Sequence, residues 1–158
     1  EALFHNIGMG ALKFYLLKVD PKKGIMFNPE ESIEFQGQTG PFIQYTHARI
    51  KSILRSAPLL DVDPIAYTDL KEEERSLAQL IFKANDVIKE AASKMDPSHI
   101  ANYAYELAKS FSSFYGQYSV LKEEDKAAMA FRIALCKFTA STIDKMMSLL
   151  GINVPEKM

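Results

Sequence analysis

Cysteine occurs once in this chain, at Cys136, so no internal disulfide can form, and no Cys/His cluster has the spacing of a zinc site. Histidine is nearly as scarce. His5, His47 and His99 stand far apart, so the local sequence supports neither a Cys–His pair nor a Ser–His–Asp arrangement. No stretch offers the roughly 20 uninterrupted apolar residues of a membrane span, and the first residues do not read as a signal peptide. A basic excess is also missing: 19 Lys and Arg against 20 Asp and Glu leave a net charge of −1. Binders that rely on phosphate neutralisation show such an excess or a concentrated basic face, so any nucleic-acid role must rest on a local patch and on base contacts. What is present is ordinary: 158 residues, 47% apolar and 25% charged, enough for one soluble domain with a real core. Nothing requires an oxidising compartment, and a cytoplasmic monomer is expected. The chain opens on Glu1 in apolar, helix-compatible sequence, and we expect it to be a piece of something longer.

Helical periodicity dominates. Leu3, Ile7, Ala11, Phe14 and Leu17 predict a helix over 2–18, with Gly8 and Gly10 lowering its propensity and marking a close backbone approach. Asp20-Pro21 ends it. Residues 24–35 read as a loop or one or two brief extended pieces. Gly40-Pro41 starts a second helix, whose face of Phe42, Tyr45, Thr46, Ile50, Ile53 and Leu54 runs to about Ser56. After a proline-bearing loop over 57–67, Asp69 and Glu72 suggest a capping box ahead of the stripe Leu77, Leu80, Ile81, Ala84, Ile88, Ala91 and Met95. Asp96-Pro97 restarts the count for a helix faced by Ile100, Tyr103, Ala104, Leu107, Ala108, Phe111, Phe114 and Tyr115. The last helix should begin at Glu123 or Glu124, bury Phe131, Leu135, Phe138, Thr142, Met146 and Leu149, and stop at Gly151, with Pro155 beyond. Four long amphipathic helices after residue 40 imply an all-α fold, an antiparallel helical bundle preceded by a short irregular helix and loop segment.

Little of this carries chemistry. The carboxylates Glu72 to Glu74 and Glu123 to Asp125 sit at helix starts, where the helix dipole explains them without a metal or an acid–base site. Cys136 lies inside the last helix and reads as a small core residue. The turn Gln36 to Pro41 has two glycines but lacks the lysine and spacing of a phosphate-binding loop. No catalytic or metal-ligating set emerges. The aromatic run ending in Tyr115 and Tyr118 differs, because it closes a helix beside Gly116 and Gln117, where a ring can be half exposed and stack on an unpaired base. Packing alone is the competing account.

Several segments, in order, carry a resemblance. Gly8-Met9-Gly10-Ala11-Leu12-Lys13-Phe14-Tyr15 is followed by Gln36-Gly37-Gln38-Thr39-Gly40-Pro41-Phe42-Ile43-Gln44-Tyr45-Thr46-His47-Ala48-Arg49-Ile50. Later come Tyr105-Glu106-Leu107-Ala108, Phe114-Tyr115, Leu149-Leu150-Gly151-Ile152 and Pro155-Glu156-Lys157-Met158. Together they resemble the C-terminal part of arginyl-tRNA synthetases, from the exit of the catalytic domain through the anticodon-binding domain. The departures are small: Ser119 where some relatives carry tryptophan, Gln38 where Asn is common, and Lys157 where Arg is common.

The resemblance implies that 1–39 is a remnant of the end of the catalytic domain, in its stem-contact region, and that 40–158 is the anticodon-binding domain. It implies a class I parent that uses ATP, with magnesium, to attach arginine to its transfer RNA. The signature sequences of that chemistry are not in this chain, so the fragment alone should be inactive and need no cofactor. Its partners would be arginine tRNA and the absent N-terminal catalytic domain. Tyr115 matches a tyrosine that the family sets against the anticodon, and Met158 matches the family's terminal methionine. On this basis Tyr115 and Tyr118 are expected to stack on bases while the 155–158 segment closes over one of them. Lys109, Arg132, Lys137 and Lys145 are expected to contact phosphates, and Gln44, Tyr45 and Arg49 to brace the RNA or the missing domain. Two rivals remain. A helical protein-interaction module would show an exposed apolar patch free of basic residues, and an independent enzyme would show a pocket with convergent titratable groups.

Overall fold

The computed structural model describes residues 1–158 as seven α-helices without strands. They are α1 (Ala2–Leu17), α2 (Pro29–Ser32), α3 (Gly40–Arg55), α4 (Glu72–Phe82), α5 (Ala84–Lys94), α6 (Ser98–Gln117) and α7 (Lys126–Leu149), with one 3-10 turn at Pro64–Ala66. Helix α6 is the centre: α7, α4, α5, α3 and the edge of α1 all pack against it. Leu107, Phe111 and Phe114 from α6 meet Ile43 and Ile50 of α3, Phe14 of α1, and Ile143, Met146 and Met147 of α7 in one continuous core. Each such large side chain contributes about 1.5–3 kcal/mol by leaving water.

The α1–α3 contact explains one glycine pair. A Cβ at Gly40 would stand 2.5 Å from the carbonyl oxygen of Gly10, and one at Gly10 would run into the Gln44 amide. Only glycines allow the helices this close, as Gly10 suggested; Gly8 faces open space and has no such role. The start of α3 is therefore sealed against protein. The Thr39 side chain accepts from the Phe42 N–H, and Thr39, Gly40 and Pro41 are all buried, so this turn offers no anion a landing place.

Four expectations need correction. Of the two readings of residues 24–35 the loop holds and the extended pieces do not; within it Asn28 caps the single-turn helix α2 by accepting from the Glu30 and Glu31 N–H groups. The cap of α4 lies two residues later than expected: Glu74 accepts from the Lys71 N–H, while Asp69 pairs with the Lys71 ammonium. The stripe from Leu77 to Met95 is not one helix. At Lys83 the backbone tightens to i→i+3 bonds, and the buried Tyr103 hydroxyl donates to the Leu80 carbonyl at 2.7 Å, satisfying the kink from the side. The bend lets α4 and α5 both lie along α6. Met95 is exposed rather than core, because it ends α5 in the left-handed conformation.

Helix α7 also differs. Asp125 caps it, accepting from the Ala127 N–H, so it starts at Lys126 rather than Glu123 or Glu124. Its buried side is Ala128, Leu135, Cys136, Thr139, Ile143, Met146 and Met147, which leaves Phe138 and Leu149 exposed. At its far end the expected glycine cap is present. Gly151 has φ of +67°, Gly151 N–H donates to Ser148 and Ile152 N–H to Met147, a double bond pattern that turns the tail back onto α3.

Candidate anticodon-facing surface

Helix α3 presents Tyr45 and Arg49 four residues apart, hence on one side of the helix. The Arg49 Nη2 donates to the Tyr45 hydroxyl at 3.0 Å, and its guanidinium lies 4.7 Å from the Tyr45 ring centroid and 5.9 Å from that of Tyr115. Tyr115, at the end of α6, stacks on the buried Phe111 ring with centroids 5.9 Å apart and planes 12° off parallel. A ring backed in this way is fixed on one side and open on the other: Tyr115 keeps 37% of its surface exposed. Tyr45 keeps 41%, and Phe35 meets it edge-on at 6.4 Å. Beyond them a mostly apolar hollow of about 450 Å³ is lined by Leu3, Phe4, Ile7, Phe35, Gln36, Tyr45 and Met158, with Met158 40% exposed. Two half-open rings, a cation between them and a half-exposed thioether thus form one strip. Flat apolar faces beside a guanidinium suit an unpaired base and its phosphate.

A second hollow of about 450 Å³ continues past Tyr115 along Gly116, Gln117, Tyr118 and Ser119 to Lys122. Tyr118 is half-buried there. Its hydroxyl donates to Glu73 at 3.0 Å, and Arg132 lies 5.2 Å from its ring centroid. That bond to a carboxylate raises the phenol above its ordinary pKa.

The expected cations do not converge. Arg132 is only 4% exposed; it donates from Nε to Glu74 at 2.6 Å, from Nη1 to the Ser119 carbonyl at 2.8 Å, and also pairs with Glu123. With Nε and Nη1 engaged inside the protein and almost none of the residue exposed, it is a strut for the 118–125 loop rather than a phosphate contact. Lys109 is exposed in a groove between α4 and α6 that it shares with Glu72, Glu73 and Glu106. Lys137 lines a polar cleft with Asp144 and Glu156 between α7 and α3, and Lys145 donates to Asn85 of α5. Gln44 is fully buried, so it cannot touch RNA; its amide donates to the Asn6 and Asn153 carbonyls and joins α1, α3 and the tail.

His47 went unsuspected in the sequence. It is buried, its Nδ1 faces the Pro155 carbonyl at 2.9 Å, and burial holds its pKa below the ordinary value. Phe35 and Phe4 were also missed, since each lies in a different segment from the rings it joins. No group of three or more His, Cys, Asp and Glu is placed to hold a metal ion. Cys136 is sealed in the core, where burial pushes its thiol to about 12 and leaves it unreactive. No helix is long and apolar enough to cross a membrane.

Residues 43–158 match the DALR anticodon binding domain. The chain belongs to this family. It is similar to the arginine–tRNA ligase of Flavobacterium psychrophilum, with 52% identity over 99% of the chain and 26% of that protein. It is also similar to that of Phocaeicola vulgatus, with 46% identity over 96% of the chain and 26% of that protein. Among solved structures, the Thermus thermophilus arginyl-tRNA synthetase superposes with a TM-score of 0.88 at 32% identity, covering 96% of this chain and 26% of that one. This DALR chain therefore spans about a quarter of the length of the relatives it matches.

Proposed function

We propose that the chain is the anticodon-gripping part of an arginine–tRNA ligase whose remaining part, with ATP, magnesium and arginine, carries the charging chemistry. In this reading residues 1–39 close the catalytic domain, and 40–158 hold the tRNA in the cytoplasm so that its other end reaches that domain. The observation that carries it is the strip Tyr115, Arg49, Tyr45 and Met158: segments far apart in sequence bring two half-exposed rings, a guanidinium and a thioether to one side of the molecule. Tyr115 stacks on one splayed base, and Arg49 neutralises the phosphate beside it. Tyr45 and Met158 form the apolar hollow for another base. Tyr118 steadies the adjoining loop through Glu73 and serves as a side wall.

Titration of labelled arginine tRNA and of an anticodon-altered version tests this. Tyr115→Ala should weaken the first by about 1–3 kcal/mol, five- to 150-fold, and Tyr115→Phe should retain most of the affinity. Equal binding of the two RNAs by the unmodified chain would remove the reading.

One observation favours the rival, a protein-docking module. A groove of about 510 Å³ between α4, α7 and the Pro64–Ala66 turn is lined by Ile65, Tyr67, Ile81, Phe82, Phe131 and Phe138, among others, with no basic residue, and Phe82 is 86% exposed. The rings of the strip do not line it. Failure of the chain to bind either RNA at any concentration would turn the assignment toward that groove.

A further inference from the structure

We infer that one ridge of α3, made of Gln44, His47, Lys51 and Arg55, is a clamp for the last residues of the chain, and that these four are positioning residues which hold Met158 beside Tyr45. The inference rests on the reading of Met158 given above.

Spacings of three, four and four residues place the four side chains along one side of α3. Each meets the tail in turn. The Gln44 amide donates to the Asn153 carbonyl at 2.8 Å. His47 Nδ1 faces the Pro155 carbonyl at 2.9 Å, and since a carbonyl only accepts, Nδ1 carries the proton. The Lys51 ammonium pairs with the Glu156 carboxylate at 2.9 Å, and Arg55 Nη1 donates to the Glu156 carbonyl at 3.1 Å. Upstream, the left-handed Gly151 starts the tail and its carbonyl accepts from Lys13.

Three of the four bonds are to backbone carbonyls, so the ridge fixes the path of the tail rather than reading its side chains. Buried Ile152 and partly buried Val154 alone would hold the tail to the core without setting its register, because apolar contact is non-directional. Directional bonds set it. The ridge accepts a cost for this: Gln44 Oε1 and His47 Nε2 are buried without partners, which a pair of apolar side chains would avoid. Past Pro155 the chain bends at Glu156, and Met158 arrives in the hollow that Tyr45 and Phe35 line. A tail released from Lys51 and Arg55 would keep the His47 contact at Pro155 but lose the two polar holds on Glu156 itself.

The test uses the 158-residue chain with carbon-13 in its methionine methyls, the Met158 signal being assigned by Met158→Leu. The clamp variants are the solvent-side pair Lys51→Ala with Arg55→Ala, and separately His47→Leu. His47→Asn serves as rescue, since its amide can set an N–H where Nδ1 stood. The expected result is that the Met158 methyl moves to its free-chain position in both clamp variants while the buried Met146 and Met147 signals stay, and returns in His47→Asn. Affinity for arginine tRNA should fall by the same factor as in Met158→Ala, with no further loss when the variants are combined. A Met158 signal unmoved by loss of Lys51 and Arg55 overturns the clamp. If instead the signal moves and Met158→Ala leaves affinity unchanged, the clamp stands and the role of Met158 in RNA reading falls.

Discussion

The guanidinium of Arg132 meets carboxylates from two directions, and their burial differs. Glu74 is wholly buried, whereas Glu123 keeps about a quarter of its surface in water. Removing the arginine alone strands the Glu74 charge in the interior, so Arg132→Met should cost about 3–5 kcal/mol, while adding Glu74→Leu should recover most of that loss. Urea midpoints of the single and double variants decide it, and a double variant no better than the single would show that the arginine acts through the Ser119 carbonyl instead. This role was not legible in the sequence. Arg132 and Glu74 are 58 positions apart, and at helical spacing an arginine near Lys137 reads as a solvent-side cation. The Tyr115 ring was easier to find, because its place at a helix end beside a glycine is a local signal. His47 makes a second prediction at this scale. Desolvation by burial comes first in lowering its pKa, with Lys51 adding to it, against the Pro155 carbonyl, Asp144 and Glu156. The unfolded chain therefore takes up the proton first as pH falls. The stability that the neutral imidazole contributes is complete above its ordinary value of 6.5 and is lost as pH falls from there toward the folded value. Thermal midpoints of the unmodified chain should drop over that window more than those of His47→Asn; parallel curves would show that other groups set the slope.

At the level of elements, the helices were legible and their joints were not. Periodicity finds an apolar face but cannot register a single tightened turn. The kink at Lys83 depends on the Tyr103 hydroxyl from a different helix, and nothing near residue 83 announces it. The buried side of α7 was misjudged for a related reason: Phe138 is as apolar as its neighbours, and only the positions of α3 and α6 decide that Thr139 and Ile143 face inward instead. The end of α5 offers a direct measurement. Met95 adopts φ of 50°, which strains any side chain with a Cβ, and its own side chain lies in solvent. Met95→Gly should raise stability by about 0.5–1 kcal/mol, the relief of left-handed strain exceeding the added freedom of the unfolded chain. The reverse case is the α1–α3 crossing. Gly40→Ala forces a methyl onto the Gly10 carbonyl and should cost about 1–3 kcal/mol in urea unfolding, whereas Gly8→Ala, with open space around it, should cost nothing.

Across the whole molecule, charge is spread rather than gathered. Lys109 stands among carboxylates on the α4–α6 groove, Lys137 lines the α3–α7 cleft, and Lys145 lies against α5, so no single RNA backbone path collects them. Against the ring strip and the hollow beside it, Arg49 and Lys122 supply positive charge. On the proposed reading, a surface of this kind holds RNA by stacking and shape, with few counterions released. Each neutralised phosphate of a single strand contributes about 0.7 to the slope of log K against log salt, so two contacts give a slope of roughly −1 to −2. Binding of arginine tRNA by this chain, followed from low to moderate salt, should therefore be weak and shallow in its salt dependence. The loss in Tyr115→Ala should be nearly the same at every salt concentration, because stacking carries no net charge. Arg49→Gln should flatten the slope by about 0.7. A slope of about −4 or steeper would mean that several lysines do act together, and the strip of rings would then be a minor part of a wide phosphate-binding face.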